Sequence, residues 1–380
     1  DIGVSRGLGD VYKRQIKIDR DILLKPLSNV SGIVEKRHAL PILSNLLLEG
    51  SENNQVKFSA TDLEVQISLT VKTKIESNFS ITIAARKLLD ITRSLPEGSK
   101  INIQVDDSKV LLKAGKSRFN LQTLPTKDYP LMINEEGNIK EFTVSQDQLK
   151  STLKQVDFSM AQQDIRYYLN GLLFEVDGNK FNIVGTDGHR LSFTSIKLHE
   201  TKEKTQIIVP RKTILELIKL LDESKEKVDI KLSKNQATFT FNNISLITKV
   251  IDGKFPDYNR VIPLGHENHF EIERTQLLSS MQRASILSNE KYRGIRMVIE
   301  EKQLKLISNN SEQEQAEEEI EIKYTGPDID IGFNVTYLID VLTNIQSDKL
   351  RFAFKDSSSS CLITIPNNED YKYVVMPMRI

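Results

Sequence analysis

The chain has 380 residues, of which 39% are apolar and 27% charged, and its 52 Lys and Arg balance its 52 Asp and Glu. This composition excludes a disordered or collagen-like chain, and the length predicts two or three domains rather than one core. No apolar run approaches the roughly 18 residues of a membrane span, so no membrane partner is expected. The single cysteine, Cys361, excludes an internal disulfide and a Cys-rich zinc site and fits a reducing, cytoplasmic setting. A balanced net charge does not argue against nucleic acid, because binding depends on where the charges sit.

Residues 1–15, DIGVSRGLGDVYKRQ, keep no period and lack the order of a secretory signal, so they read as a disordered extension or a non-native scar outside the fold. From Ile16 a short alternating strand leads into helical spacing, IKIDRDILLKPLSNVSGIV. The same grammar returns as FTVSQDQLKSTLKQVDFSM from Phe142 and FEIERTQLLSSMQRASILS from Phe270. Each has a polar cap candidate and then apolar residues at helical spacing, such as Leu149, Leu153 and Val156, or Leu277, Met281 and Ala284. A second strand-helix-turn segment also recurs, as ITIAARKLLDITRSLPEG from Ile81, IIVPRKTILELIKLLDES from Ile207 and IGFNVTYLIDVLTNIQSD from Ile331. Strand groups lie between them, with hairpins expected at Asn53-Asn54, Asp177-Gly178 and Glu301-Lys302.

Matching positions, such as Asp62, Asp187 and Asn310, or Arg86, Arg211 and Val335, are about 124 residues apart. That period is far longer than a solenoid repeat, so each unit can close its own core. The predicted fold is α+β: three tandem domains, 16–138, 139–266 and 267–380, each with two helices packed on antiparallel sheet. Like domains joined head to tail build an arc, which a second copy can close.

The repeated helices carry candidate DNA-facing bases. These are Arg20, Lys25, Arg37, Arg86, Lys87, Arg93, Lys150, Lys154, Arg211, Lys212, Lys219, Arg274 and Arg283, while acidic residues concentrate in Glu312 to Glu321. The plain alternative is a solvated helix face; the repeat favours a common role, since it presents one face many times. Twelve helices at roughly 10 Å each would enclose a bore of about 28 Å, wide enough for a duplex of about 20 Å held through its phosphates.

Chemistry-like motifs are few. Thr186-Asp187-Gly188-His189-Arg190 admits a hydrolase reading in which Asp187 orients His189. Its counterparts Thr61-Asp62-Leu63 and Asn309-Asn310-Ser311 favour a hairpin corner with an Asx-type turn. Gly115-Lys116-Ser117 resembles the end of a phosphate loop but has Val110 where the first glycine belongs and lies between strands. No motif points to a metal or another cofactor, and His38, His199, His266 and His269 fall in loops or linkers.

The stretches DIRYYLNGLLFE, TDGHRLS, IVPRK, DGKFPDYNRVIP, SNEKYRGIR, IGFNVTYLIDVL and YVVMPMRI resemble the bacterial sliding clamp, the beta subunit of DNA polymerase III, from about Ile16 to Ile380. The resemblance implies a non-enzymatic processivity factor of the bacterial cytoplasm and nucleoid. It would be a homodimeric ring around double-stranded DNA, loaded by an ATP-driven clamp loader, that tethers the polymerase III catalytic subunit and other replication and repair proteins. Carried over position by position, one peptide subsite comprises Leu169, Thr186, Gly188, His189, Arg190, Leu191, Pro256, Arg260, Val261, Val374 and Met376. A second comprises Tyr168, Tyr337, Ser360, Pro377, Met378 and Arg379, where the serine run Ser357 to Ser360 leaves its polarity open. Flexible methionines suit such a groove, and Arg190 and Arg379 are expected to hold acidic or backbone groups of the peptide. The subunit interface would use Phe119, Leu121, Ile286 and Leu287, with Glu314, Glu317 and Glu318 pairing across the seam; ordinary core packing is the alternative. Two rival functions stay open: a sheet-rich protein-binding scaffold without DNA, and a hydrolase using Asp187 and His189.

Overall fold

A computed structural model of the protein describes residues 14–34, 40–51, 53–73, 75, 78–106, 109–135, 137 and 139–379. Residues 1–13 of the expected extension, Arg37 and His38 lie outside the described residues. The extension ends earlier than expected. A strand runs Arg14–Asp19, with Arg14 opposite Val105 and Gln15 opposite Gln104. Backbone pairing at an outer strand needs no apolar alternation, which is why composition hid it.

Six helices occur among the described residues: α1 (Arg20–Val30), α2 (Ala85–Ser94), α3 (Gln146–Lys154), α4 (Arg211–Leu220), α5 (Arg274–Ser285) and α6 (Val335–Asn344). Each buries one stripe at helical spacing, for example Ala85, Leu88, Leu89 and Thr92 in α2, or Leu277, Ser280, Met281 and Ala284 in α5. The expected side-chain caps are mostly absent. Asn334 caps α6 by accepting from the Thr336 amide at 2.9 Å, but at α1, α3 and α5 the carbonyl of the residue just before a strand takes the first helical amide. Arg20 N donates to Ser99 O at 2.8 Å, Gln146 N to Glu226 O at 2.9 Å and Arg274 N to Asp348 O at 2.8 Å. This wiring recurs at matching places in all three repeats and satisfies an amide that a helix start leaves unpaired.

Two compact units divide the chain, Asp1–Glu136 with Thr238–Lys249, and Gly137–Ala237 with Val250–Ile380. In the first, Arg14–Asp19, Lys100–Asp106, Lys109–Ala114 and Ser117–Gln122 pair in that order. A second antiparallel run there is Phe79–Ala84, Asn45–Ser51, Gln55–Thr61, Val65–Lys72 and Ile244–Lys249. The last of these strands comes from the middle repeat of the sequence.

In the second unit a six-stranded sheet runs Gly171–Thr186, Arg190–Pro210, Asn368–Val375, Cys361–Ile365, Lys349–Phe354 and Asn268–Glu273. A four-stranded sheet orders Gln315–Glu321, Gln303–Asn309, Gly294–Glu300 and Ile329–Asn334. Reversals occur at Asn53-Asn54 and Glu301-Lys302 as expected. Asp177-Gly178 is not a reversal. Gly178, at φ 60°, marks a register shift inside one continuous strand whose two halves both pair with Arg190–Pro210. A glycine with positive φ serves a bulge as well as a turn, so the dipeptide alone misled. The pairing of Leu191 with Val374 and of Arg190 with Val375 brings the C-terminal strand beside the Thr186–Arg190 corner. No helix among the described residues is long and apolar enough to cross a membrane.

Candidate functional site

The corner between Gly171–Thr186 and Arg190–Pro210 is an Asx turn. Asp187 Oδ1 accepts from the amides of His189 at 2.9 Å and Arg190 at 3.0 Å. Thr186 Oγ1 donates to Arg190 O at 2.6 Å and accepts from Gly188 N at 3.1 Å. The counterparts behave alike: Asp62 Oδ1 accepts from Glu64 N at 2.9 Å and Val65 N at 2.7 Å, and Asn310 Oδ1 from Glu312 N and Glu314 N, both at 3.0 Å. The hydrolase reading fails on this geometry. The Asp187 carboxylate binds turn amides and Arg190, not the His189 ring, and that ring stacks towards Tyr337 with centroids 6.5 Å apart.

Arg190, expected to hold acidic or backbone groups of a peptide, has all three guanidinium nitrogens bonded within the chain. Nε donates to Asp187 Oδ2 at 3.1 Å, Nη1 to Asp340 Oδ2 at 2.6 Å and Nη2 to Phe158 O at 2.6 Å. The Tyr337 ring lies 4.5 Å and the Phe158 ring 5.6 Å from its Cζ. Burial alone would lower its pKa, but Tyr373, Asp340 and Asp187 carry it above the ordinary arginine value. Asp340 lies on α6, so this one side chain ties the corner to the third repeat's helix.

Beside the corner is a cavity of about 110 Å³. Its lining includes Leu169, Thr186, Gly188, His189, Arg190, Leu191, Pro256, Val261, Val374 and Met376, ten of the residues expected in the first subsite, and Tyr168 from the second. Arg260 is the exception: it turns outward, 86% exposed, and pairs with Asp257 at 3.1 Å. Arg166 also lines the cavity and was not anticipated. It stands in the DIRYYLNG run, but a lone base there reads as a solvated residue. In the structure it bonds Asp164 twice, at 3.0 and 2.8 Å, and donates to Asp187 O at 3.1 Å. These bonds hold the Asp164 pKa down at about 2. Below the cavity, Leu173, Val184, Leu191, Ile208, Phe255, Tyr258 and Val374 form a buried apolar floor.

The second subsite is not one pocket. Met378 and Arg379 line a separate cavity of about 330 Å³ with Asn289, Tyr292, Gly294, Asn309 and Asn310. Met378 is directed there by its amide, which bonds Gly332 O at 2.8 Å and pins the chain end to Ile329–Asn334. Tyr337 belongs to the Arg190 cluster, Pro377 is half-buried, and the Ser360 carbonyl accepts from His266 Nε2 at 2.9 Å.

The candidate bases divide into two groups. Lys25, Arg86, Lys87, Arg93, Lys154 and Lys219 are exposed, whereas Lys150, Arg211 and Lys212 are half-buried. Arg20 and Arg274 are not outward residues: Arg20 Nε donates to Thr92 O at 3.2 Å, and Arg274 Nη1 and Nε donate to Leu342 O at 2.7 Å and Ser347 O at 2.9 Å. Each starts one helix and closes the carbonyl end of its companion, where a cation is favoured. Arg283 is exposed and bound to Glu318 at 2.7 Å.

Of the seam residues, Phe119 and Leu121 are half-buried on Ser117–Gln122, which among the described residues pairs on one side only. Ile286 is 76% exposed just after α5, and Leu287 is half-buried. Glu318 is held by Arg283, and Glu314 accepts from Asn310 Nδ2 at 2.6 Å. Gly115-Lys116 is a hairpin turn between paired strands, not a phosphate cradle. Among the described residues no three His, Cys, Asp or Glu side chains are grouped to hold a metal.

Three like α+β repeats with an apolar, hairpin-cornered cavity define a repeat-built binding protein. The family models for the DNA polymerase III beta subunit match in order: the N-terminal domain over residues 14–133, the central domain over 143–257 and the C-terminal domain over 259–379. The beta sliding clamp of Pseudomonas aeruginosa is 46% identical over 365 residues, covering 96% of this chain and 99% of its own. That of Escherichia coli is 40% identical over 364 residues, with 96% and 99% covered. The crystal structure of the P. aeruginosa clamp bound to griselimycin superposes with a TM-score of 0.93 at 45% identity, over 97% of this chain and 100% of that one. The Bartonella birtlesii clamp with the same ligand gives 0.92 at 36%, over 97% and 100%. The chain therefore belongs to the DNA polymerase III beta subunit family, built of three clamp domains, and functions as a DNA sliding clamp.

Proposed function

We propose that two copies of the chain close a homodimeric ring around duplex DNA, and that the cavity at Leu169, Leu191, Val261, Val374 and Met376 receives short apolar segments of the polymerase III catalytic subunit, the clamp loader and other replication and repair proteins. The observation that carries this reading is the cavity itself: an apolar floor and a lining drawn from four separate chain segments. A buried Leu or Phe anchor contributes roughly 1.5–3 kcal/mol, so two anchors give weak binding suited to partner exchange.

The units are read as domains 16–138, 139–266 and 267–380, with the first strand extended back to Arg14. Ser117–Gln122 and Gln315–Glu321 are outer strands in their respective sheets; pairing between copies along such edges, with Phe119, Leu121, Ile286 and Leu287 beside them, would close the seam. The exposed Lys25, Arg86, Lys87, Arg93, Lys154 and Lys219 would meet phosphates without reading sequence. The chain is assigned no catalytic step, since Asp187 serves the turn, and its place is the bacterial cytoplasm.

Retention on DNA tests the ring. Protein loaded on a closed circle by a clamp loader should stay bound through a high-salt wash and leave when the circle is cut once. Equal loss from closed and cut circles would defeat the reading. Griselimycin, bound by the two relatives, is expected to bind here as well.

A further inference from the structure

Beneath the cavity the sheet face turns from apolar to polar within one step of each strand. Leu173, Val184 and Ile208 belong to the floor, and the next residues on the same face are Glu175, Asn182 and Gln206. Glu175 is only 3% exposed. Its carboxylate accepts from the Tyr258 hydroxyl, from the Gln206 amide and from Asn182 Nδ2, the last at 3.1 Å, and the Lys204 ammonium lies 3.5 Å away. Ser195 Oγ donates to Asn182 Oδ1 at 2.8 Å and fixes that amide. Burial alone would raise the Glu175 pKa; the donated bonds, Tyr258's foremost, bring it below the ordinary value. A carboxylate at this depth is tolerated only when so bonded.

Tyr258 is the member of this network that does not belong to the two paired strands. It opens the short turn Tyr258–Arg260, and its carbonyl accepts from the amides of Val261 and Ile262, both at 3.1 Å. Pro256 and Val261, on either side of it, face the cavity. The hydroxyl thus ties the backbone that carries this wall to the strand pair, beside the packing of the ring on Phe193. The first repeat does it differently: Tyr129, in the matching Pro125-to-Tyr129 segment, donates to the carbonyls of Asn45 and Ser59, both at 3.2 Å. The buried carboxylate partner belongs to the repeat that has the cavity.

We propose that Glu175 is a positioning residue for the groove: through Tyr258 it fixes the Pro256–Val261 wall, and so sets the groove's width and the size of apolar anchor it admits. This rests on the reading of the cavity as a peptide groove. The test uses the full chain and two fluorescein-labelled synthetic peptides with adjacent apolar anchors, one Leu-Phe and one with the Leu replaced by the bulkier cyclohexylalanine.

Tyr258→Phe should weaken the Leu peptide about tenfold, as loss of a bond to a charged acceptor implies, and change the ratio of the affinities for the Leu and cyclohexylalanine peptides, which is the preference read here. Hydrogen exchange over residues 256–262 should accelerate. Glu175→Gln, which keeps an acceptor for the hydroxyl, should stay within about twofold of wild type, while Glu175→Leu should match Tyr258→Phe. If Glu175→Leu does not fold, Tyr258→Phe decides alone. Wild-type affinity and preference in Tyr258→Phe would overturn the proposal. So would a uniform loss with the preference and the 256–262 exchange unchanged, which is ordinary destabilisation. Wild-type protein that binds neither peptide defeats the groove reading itself, separately from the Glu175 role.

Discussion

At Thr61-Asp62-Leu63 and at Thr186-Asp187-Gly188 the chain makes the same turn with different contents. Asp62 and Asp187 each bond two following amides, and the third residue has positive φ in both, 77° at Leu63 and 90° at Gly188. Leu63 packs against a cluster of Ile42, Leu43, Leu47 and Tyr129, so its side chain fills the first corner. Gly188 has nothing to fill the second, which opens into the cavity. Two positions on, Val65 is buried at 1% exposure where the second corner has Arg190 with its two carboxylates. A cavity therefore arises here from an unchanged turn by removing one side chain and exchanging another for a charge. The local geometry is common property; the difference lies in the volume left empty.

Exchanging the two contents breaks the comparison most severely at the charge. Arg190→Val installs the first corner's residue and leaves Asp187 and Asp340 without their cation. The expected loss is about 3 kcal/mol of stability by urea denaturation, at the low end for a broken buried pair because both carboxylates still reach water. Asp340→Asn in that background should recover part of it. A variant as stable as wild type would mean that the arginine cluster does not brace the corner.

Gly188→Leu is the next largest. Leu63 shows that leucine is tolerated at such a φ, at a strain of about 1 kcal/mol or more. A Cβ at Gly188 would come 2.9 Å from Arg166 Nη1, the tip of a flexible side chain that can move. The leucine then occupies the anchor's place, and binding of the Leu-Phe peptide by fluorescence anisotropy should weaken by about 2 kcal/mol, roughly thirtyfold. Unchanged affinity would show that the anchor binds elsewhere.

Sequence made the turns and the helical stripes legible because both obey rules that act over a few residues. Asp62, Asp187 and Asn310 are recognisable from their spacing and chemistry, whereas the cavity lining is legible only through the resemblance to the clamp family. Side-chain direction is another matter, since partners far along the chain fix it. Arg190 is satisfied by Asp340, 150 residues away. Arg20 and Arg274 close the companion helices through Thr92 O and Leu342 O, and Met378 is turned aside by a single backbone bond to Gly332. Composition records a base or a methionine at each of these places and nothing about its partner. Glu175 is invisible for the same reason, because a strand Glu ordinarily faces water and only the fold brings Tyr258 to it.

Leu63→Gly is the reverse exchange and should be gentler. It removes a partly buried side chain from a small cluster but relieves a positive φ that glycine adopts freely. The two effects oppose, leaving a net destabilisation of about 1 kcal/mol, with peptide affinity at the second corner unchanged. A loss of peptide affinity in this variant would show that the two corners are coupled.

The smallest effect concerns Asp164, which holds Arg166 over Gly188. The Arg166 side-chain bonds lower its pKa from 3.8 to about 2. A carboxyl depressed in this way stabilises the fold fully above its ordinary pKa, and the contribution is lost as pH falls through the depressed value. The melting temperature of wild type should therefore exceed that of Asp164→Asn by a constant margin from neutral pH to about pH 4, and the margin should close by about pH 2. Thermal melts at stepped pH read this directly. A margin that persists at the acid end would mean that the residue acts through packing or neutral hydrogen bonding, and that the cation over the open corner needs no anion to place it.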